Sequence, residues 1–222
     1  MQGVVFDFNG TLFRDSAYHE TAWHTFISQE TDRVLTKQEF EHHVHGVNNH
    51  GALEYIFNKK LDKKTADELA ERKEKIYRDM VVALDSGNEL VEGAEEYLDF
   101  LTERKIPITI ATASMKNNVD FYFDFFKLDR WFDYDKVVYN DGDVPSKPAP
   151  DFYLLAAKNI QCPPEEVIVF EDSVSGIRSA FSAKVGAIWG VSTDGNNKML
   201  LQSGVLAGVI DDYHDKRIYE QF

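Results

Sequence analysis

Asp7 occupies the position in this 222-residue chain that is best suited to a reactive carboxylate. The apolar run VVF at positions 4–6 comes directly before it, and a turn glycine and a hydroxyl follow at Gly10 and Thr11. An apolar run of this kind is typical of a strand buried in a parallel sheet, and ligands bind beyond the carboxyl ends of such strands. The pattern therefore predicts that Asp7 faces a site while the strand behind it stays dry.

Polar side chains also follow other apolar runs of the chain. Thr112 and Ser114 come at the end of one run, and Glu171 and Asp172 end another. Lys147 lies in the loop SKPAP, where two prolines restrict the backbone. Because parallel strands end at the same edge of a sheet, we expect these side chains to converge on the nucleophile.

The functional groups that would converge indicate phosphoryl transfer assisted by a hard divalent cation. Asp7 offers a carboxylate nucleophile, Thr112 a hydroxyl and Lys147 an ammonium group. Mg²⁺ prefers a few carboxylates together with water and substrate phosphate, and Asp7 with Asp172 supplies the carboxylates. The sequence therefore predicts a Mg²⁺ site beside the nucleophile.

Apolar, β-branched runs alternate with amphipathic stretches along most of the chain. Besides the first strand, short buried strands are predicted at residues 108–111, 137–139, 167–170 and 187–189. Helices are predicted at residues 94–104, 116–126, 150–159 and 173–183. This alternation is typical of the α/β class, and it predicts a doubly wound, Rossmann-like parallel sheet with helices on both faces.

The first connection departs from this alternation. Residues 13–87 carry helical periodicity but no convincing strand pattern. This segment is longer than a single crossover between two parallel strands requires. We therefore predict an all-helical cap subdomain, residues 15–87, inserted after the first strand. The α/β core would consist of residues 1–14 and 88–222.

Composition excludes several classes of partner. The formal net charge of −14 disfavours nucleic acid and anionic membranes, since both require a basic surface. No apolar run is long enough to cross a bilayer, and no signal or transit peptide pattern is present. With a single cysteine, Cys162, the chain has no internal disulfide, so we expect a cytoplasmic protein. The sequence does not indicate the oligomeric state.

Four segments that carry these residues resemble the signature motifs of the haloacid dehalogenase (HAD) superfamily. They are FDFNGTL with Asp7, IATAS with Thr112, SKPAPD with Lys147, and VFEDS with Glu171 and Asp172. The resemblance spans essentially the full length. SKPAPDFY, FEDSVSGIRSA and the helical insert are most similar to the subgroup that contains β-phosphoglucomutase and sugar-phosphate phosphatases.

The resemblance implies a role for each matching residue. Asp7 would attack phosphorus and form an aspartyl-phosphate that water then hydrolyses. Lys147 would neutralise the phosphoryl oxygens, and Thr112 would hydrogen-bond them. The substrate would be a small phosphorylated metabolite such as a sugar phosphate, and the inserted helices would form a mobile cap that closes over it and excludes water.

The resemblance also implies the ligands of the metal and the residues that bind substrate. Mg²⁺ would be held by Asp7, by the backbone carbonyl of Asn9 and by Asp172, with Glu171 in support. The residues assigned to substrate binding are Gly10, Ser114, His19, Gly46 and Asn49.

Two positions depart from the pattern of the family. The residue two positions after the nucleophile is normally an aspartate that protonates the leaving oxygen and then activates water, but here it is Asn9. Loss of such a group typically lowers the rate ~10²–10⁴-fold, which is about 3–5 kcal/mol of transition-state stabilisation. In the segment HGVNN, residues 45–49, asparagine stands where the mutase has an arginine for the distal phosphate.

Both departures favour a slow phosphatase that prefers substrates with acidic leaving groups. A β-phosphoglucomutase-type phosphotransferase and a non-catalytic module that binds phosphate esters are the alternatives. Three explanations of Asn9 stay open. In the first, Asn9 is a natural variant and another residue, for which His19 is the candidate, supplies the proton. In the second, Asn9 is a substitution introduced to trap substrate. In the third, the protein binds phosphate esters without turnover.

Overall fold

The centre of the protein is a six-stranded sheet in which all neighbouring strands are parallel. The structure is a computed structural model and describes residues 1–44, 48–84, 89–192, 200 and 204–222. In the order β3-β2-β1-β4-β5-β6, the strands are β1 Gly3–Phe6, β2 Ile108–Met115, β3 Val138–Asn140, β4 Val167–Glu171, β5 Ala187–Val191 and β6 Gly208–Ile210. The predicted α/β fold with a parallel sheet is confirmed. The short edge strand β6 is an addition to it.

Alternate residues of each strand point to opposite faces of the sheet, and both faces are covered. Val5 and Val169 lie in one buried cluster with residues of helices α7 (Asp151–Asn159) and α8 (Val174–Ser182). Phe6 points the other way and contacts Tyr97 of helix α5 (Ala94–Glu103), with 6.3 Å between ring centroids. Helix α6 (Lys116–Phe126) packs beside β2 and β3. The sheet is therefore doubly wound, as predicted.

The chain divides into two compact units. The first comprises Met1–Arg14 and Glu89–Phe222 and contains the whole sheet. In the second, Asp15–Asn88, every regular element among the described residues is a helix. Its helices are α1 Ser16–Glu30, α2 Lys37–His43, α3 Asn49–Phe57 and α4 Lys63–Val82.

Side-chain caps start three of the four helices of the second unit. Thr36 forms a reciprocal capping box with Glu39, and the side chains of Asn48 and Asp62 accept hydrogen bonds from backbone N–H groups in the first turns of α3 and α4. These caps satisfy donors that the helix itself leaves unpaired. The interior of the unit is formed mainly where α1 packs on α4, with Phe26 and Ala70 fully buried.

A short helix, α9 (Lys216–Tyr219), is the last described helix. The ring of Tyr219 lies edge-on to Tyr97, with centroids 5.0 Å apart, so the C-terminal segment extends the aromatic layer on that face of the sheet. None of the described helices combines the length and the apolar character needed to cross a membrane.

Candidate active site

Asp7 lies directly after the central strand β1. The strand is flanked on both sides by parallel neighbours, β2 and β4, and the backbone N–H of Asp7 donates to the carbonyl of Phe170 in β4 at 3.0 Å. Only 7% of Asp7 is exposed. The carboxylate therefore sits at the carboxyl end of the innermost strand, on a backbone that neighbours hold from both sides.

The turn after Asp7 requires glycine at position 10. Gly10 has a φ of 74°, which L side chains rarely adopt, and a Cβ there would lie 2.0 Å from Oδ2 of Asp172. The turn closes onto the carbonyl of Phe8, which accepts backbone N–H groups from Thr11, Leu12 and Phe13. The structure thus places Gly10 directly against a predicted metal ligand.

The ammonium group of Lys147 lies between two carboxylates. Its Nζ is 2.6 Å from Oδ1 of Asp7 and 2.7 Å from Oε1 of Glu171, and it also donates to the carbonyl of Ala111 at 3.0 Å. These three acceptors match the three N–H donors of an ammonium group. Burial alone would lower the pKa of Lys147, but the negative charges of Asp7 and Glu171 outweigh it and raise the pKa above its usual range. Lys147 is therefore charged at neutral pH.

Glu171 anchors Lys147. Its Oε1 accepts from Lys147 and from the hydroxyl of Tyr153 at 2.8 Å, while Oε2 accepts from the backbone N–H and the hydroxyl of Ser173, both at 2.9 Å. Burial and the charge of Glu171 raise the pKa of Tyr153 well above its usual value, so this hydroxyl stays a donor. A Cβ at Gly176 would lie 1.6 Å from Oε1, so the carboxylate fills the space that a side chain would take. Four donors occupy Glu171, which suits a supporting role.

Asp7, Glu171 and Asp172 form the group of acidic side chains, among the described residues, that could hold a metal ion. Each offers an oxygen within 4.8 Å of the others. An all-oxygen donor set suits Mg²⁺ rather than metals that prefer nitrogen or sulfur. Thr11 Oγ1 lies 3.5 Å from Oδ1 of Asp172 and steadies that carboxylate. The residues present fit the predicted cation.

The side chain of Asn9 is held by three hydroxyl groups. Its Oδ1 accepts from Ser114 at 2.7 Å and from Thr112 at 3.3 Å, and its Nδ2 donates to the hydroxyl of Tyr122 at 2.8 Å. Thr112 and Ser114 lie within β2, which continues to Met115, past the predicted end of this strand at residue 111. Tyr122 comes from α6 and was not singled out from the sequence. The structure therefore brings Asn9, Thr112 and Ser114 together at one end of the sheet.

A family model described as haloacid dehalogenase-like hydrolase matches residues 1–184 of the chain. The chain belongs to the haloacid dehalogenase-like hydrolases. The resemblance that the four sequence segments indicated is confirmed.

Individual relatives of this HAD hydrolase include phosphatases and mutases. The solved structure of a HAD hydrolase of family IA, variant 3, from Entamoeba histolytica matches with a TM-score of 0.92 and 36% identity over 100% of this chain and 97% of that chain. A phosphorylated carbohydrates phosphatase of Thermotoga maritima is 27% identical over 208 residues, 93% of each protein. A β-phosphoglucomutase of Bacillus subtilis is 25% identical over 193 residues, 85% of this chain and 82% of that protein.

In the second unit of the HAD hydrolase, two predicted substrate residues contact the buried residues Lys73 and Glu74. His19 Nδ1 lies 2.7 Å from Nζ of Lys73, and the side chain of Asn49 donates to Oε1 of Glu74 at 2.9 Å. Lys73 and Glu74 pair at 3.0 Å, and burial lowers the pKa of Lys73. The third predicted residue, Gly46, lies outside the described residues.

Lys73 and Glu74 were not predicted as site residues. Lys73 occupies the apolar face of α4, in register with buried Ala70 and Tyr77, so a charge on that face was the available signal. The hydroxyl of Tyr77 donates to Asp15 at 2.6 Å, and the ring of His19 stacks on Tyr77 with centroids 3.8 Å apart. His19 is thus fixed by contacts to two other helical residues of its own unit.

Proposed function

We propose that this HAD hydrolase is a Mg²⁺-dependent phosphatase that acts on small phosphate monoesters through an aspartyl-phosphate on Asp7. The buried contact between Asp7 and Lys147, 2.6 Å long, carries the proposal. It places a cation beside the attacking carboxylate, where the negative charge of a phosphoryl group would have to be offset. The neighbouring Asp172 supplies a second carboxylate for a cation.

In the first step, a carboxylate oxygen of Asp7 attacks phosphorus, and the bond between phosphorus and the leaving oxygen breaks. The electron pair of that bond stays on the leaving oxygen. Lys147 would neutralise a phosphoryl oxygen, and Thr112 would turn its hydroxyl from Asn9 to donate to another. This turn is favoured because the bond from Thr112 to Asn9, at 3.3 Å, is long for two oxygens.

Asp7, Asp172 and the backbone carbonyl of Asn9 would hold Mg²⁺. When bound, the cation offsets charge on the phosphoryl group and orients it. Glu171 would stay outside the ligand set, since four donors of the protein already occupy its two oxygens.

In the second step, water attacks the phosphorus of the aspartyl-phosphate and the bond to the Asp7 oxygen breaks. Phosphate leaves with the oxygen and one proton of that water, the other proton passes to solvent, and the carboxylate of Asp7 is restored. Lys147 remains beside Asp7 through both steps, because Glu171 and the carbonyl of Ala111 hold it there.

Asn9 determines which substrates we expect to turn over. An amide exchanges protons poorly near neutral pH, so the leaving oxygen must depart without help from position 9. Aryl and acyl phosphates meet that condition, whereas sugar phosphates need a proton on the leaving alkoxide. The same defect disfavours a mutase, which must move protons in both directions during each cycle.

Phosphate release from a panel of esters with Mg²⁺ tests the proposal. We expect p-nitrophenyl phosphate and acetyl phosphate to be hydrolysed faster than sugar phosphates, and Asp7→Ala to abolish release. Asp129→Ala, which removes an exposed carboxylate of the same unit, should match the wild type. Release that is absent across the panel, or that survives Asp7→Ala, would overturn the proposal, and the former result would favour a module that only binds phosphate esters.

A further inference from the structure

The hydroxyl of Tyr122 lies against the side-chain amide of Asn9. We propose that Tyr122 is a positioning residue for Asn9, and this role in turnover rests on the proposed phosphatase function. Tyr122 is 1% exposed, and its hydroxyl accepts a hydrogen bond from Nδ2 of Asn9 at 2.8 Å. The tyrosine lies on α6, and its hydroxyl also lies 3.3 Å from that of Ser114.

A fixed donor sets the direction of these hydrogen bonds. The backbone N–H of Ser114 donates to Oγ1 of Thr112 at 3.1 Å, and a backbone N–H cannot rotate away. The hydroxyl of Thr112 is thereby favoured as a donor to Asn9, so the amide must present its oxygen to β2. Its NH₂ group then faces Tyr122, because one end of an amide only accepts and the other only donates.

Asn9, Tyr122 and Ser114 close a ring of hydrogen bonds. Asn9 Nδ2 donates to Tyr122, the hydroxyls of Tyr122 and Ser114 lie 3.3 Å apart, and Ser114 donates to Oδ1 of Asn9 at 2.7 Å. With the proton of Tyr122 directed at Ser114, each of the three groups donates once and accepts once within the ring. Rings of this kind polarise each member in the same sense and so strengthen one another.

Packing holds the hydroxyl of Tyr122 in place. Its ring stacks on Phe8 with centroids 4.1 Å apart and planes inclined by 18°. Phe8 is fully buried and lies in the chain between the nucleophile and Asn9. The acceptor for the amide is therefore positioned by the same residue that connects Asp7 to Asn9.

Tyr122→Phe keeps the packing and removes the hydrogen bond. Without this acceptor the Asn9 amide can rotate, and the residue whose backbone carbonyl would hold Mg²⁺ loses a fixed side chain. We expect kcat for p-nitrophenyl phosphate to fall roughly 3- to 10-fold, the range that one hydrogen bond of ordinary net strength represents. KM should stay within about twofold, because the loss falls on the transition state.

Two comparisons separate positioning from general stability. Tyr97→Phe is the matched control, since it also removes a buried hydroxyl from the first unit, one with no hydrogen-bond partner among the described residues. It should leave kcat unchanged. In an Asn9→Ala background, Tyr122→Phe should have no further effect on any remaining turnover, because the amide that it positions is gone.

A measurement independent of turnover completes the test. In ¹⁵N-labelled protein, the side-chain NH₂ signals of Asn9 are those that Asn9→Ala removes. We expect them to shift and to exchange faster with water in Tyr122→Phe, and to be unchanged in Tyr97→Phe.

Unchanged Asn9 signals in Tyr122→Phe would overturn the inference, whatever the activity. So would an equal loss of kcat in the Asn9→Ala background, or a kcat that Tyr122→Phe leaves intact while release still depends on Asp7. Release that does not depend on Asp7 would instead contradict the phosphatase function, and the NMR comparison would still decide the orientation of the amide.

Discussion

The ammonium nitrogen of Lys147 lies 2.6 Å from Oδ1 of Asp7, and both side chains are almost excluded from solvent. This pair makes the nucleophile part of the buried structure. Asp7 cannot be moved or protonated without changing the environment of Lys147, and Lys147 is in turn held by Glu171 at 2.7 Å. Chemistry and stability are therefore coupled at this point.

Lys147→Met should cost about 3–5 kcal/mol in the free energy of unfolding at pH 7, because it leaves two buried carboxylates without their cation. Lys127→Met, at an exposed lysine paired with Asp124, should change it by less than about 0.5 kcal/mol. Denaturant titrations of the wild type and the two variants measure the free energies of unfolding. Equal losses in the two variants would show that the buried pair does not stabilise the fold.

The contribution of Lys147 to stability should depend on pH in a defined direction. Its folded-state pKa is raised, so the stabilisation is fully present below the unfolded value of about 10.4 and is lost as the pH rises through the folded pKa. We expect the gap in unfolding free energy between wild type and Lys147→Met to be constant from pH 7 to pH 9. Unfolding titrations at pH 7, 8, 9 and 10.5 check this, and a gap that narrows below pH 9 would contradict it.

Asn9→Asp should raise the turnover of sugar phosphates, because a carboxyl group can protonate the leaving alkoxide. The gain should approach ~10²–10⁴-fold for sugar phosphates and be small for p-nitrophenyl phosphate, whose leaving group departs without a proton. The ratio of the two kcat/KM values measures the effect. Asn117→Asp adds the same charge at an exposed position of α6 and should leave that ratio unchanged. A constant ratio in Asn9→Asp would show that Asn9 does not limit turnover.

Gly10→Ala should weaken Mg²⁺ binding as well as the fold. The added Cβ would meet Oδ2 of Asp172 at 2.0 Å, so the proposed ligand must move. Gly204→Ala provides a matched control, since Gly204 also has a positive φ, 68°, but a Cβ there would have no atom of the described residues within 4 Å. Backbone strain should lower the stability of both variants by no more than about 1–3 kcal/mol. Only Gly10→Ala should need a higher Mg²⁺ concentration for half-maximal activity. A similar Mg²⁺ requirement in both would contradict the placement of Asp172 in the metal site.

Mg²⁺ should raise the midpoint of thermal unfolding of the wild type. Binding to the folded state alone stabilises it by about 2.7 kcal/mol at a free concentration 100 times the Kd. Asp172→Asn removes a proposed ligand and should abolish the shift, whereas Asp129→Asn, at an exposed carboxylate, should keep it. Calorimetry with and without EDTA decides between these outcomes, and a shift that persists in Asp172→Asn would place the cation elsewhere.

The strands and the residues at their ends could be predicted because they follow local patterns. The apolar run before Asp7 and the polar residues after Val167–Phe170 each mark a strand and its end without reference to the rest of the chain. Strand β6 could not be predicted in this way. It has three residues, of which Ile210 alone is buried, and that is too short to show a period.

The position of Tyr122 required the folded structure. It lies in the aromatic run FYFDFF of α6, where several rings could face the sheet equally well by helical period. Which of them reaches Asn9 depends on how the helix is rotated against β2, a property of tertiary packing. The buried Lys73 could have been noticed from the sequence, because it is a charged residue on the apolar face of α4.

Strand β1 is the first element of the first unit to be synthesised, yet its partners β2 and β4 are encoded after the whole second unit. During translation the fully buried segment Gly3–Phe6 therefore has no sheet to join until more than a hundred further residues have emerged. An unpaired apolar strand is prone to aggregation until its partner strands have been synthesised. The topology that fixes Asp7 so firmly in the finished protein thus makes its amino-terminal strand the segment most dependent on protection while the chain is still on the ribosome.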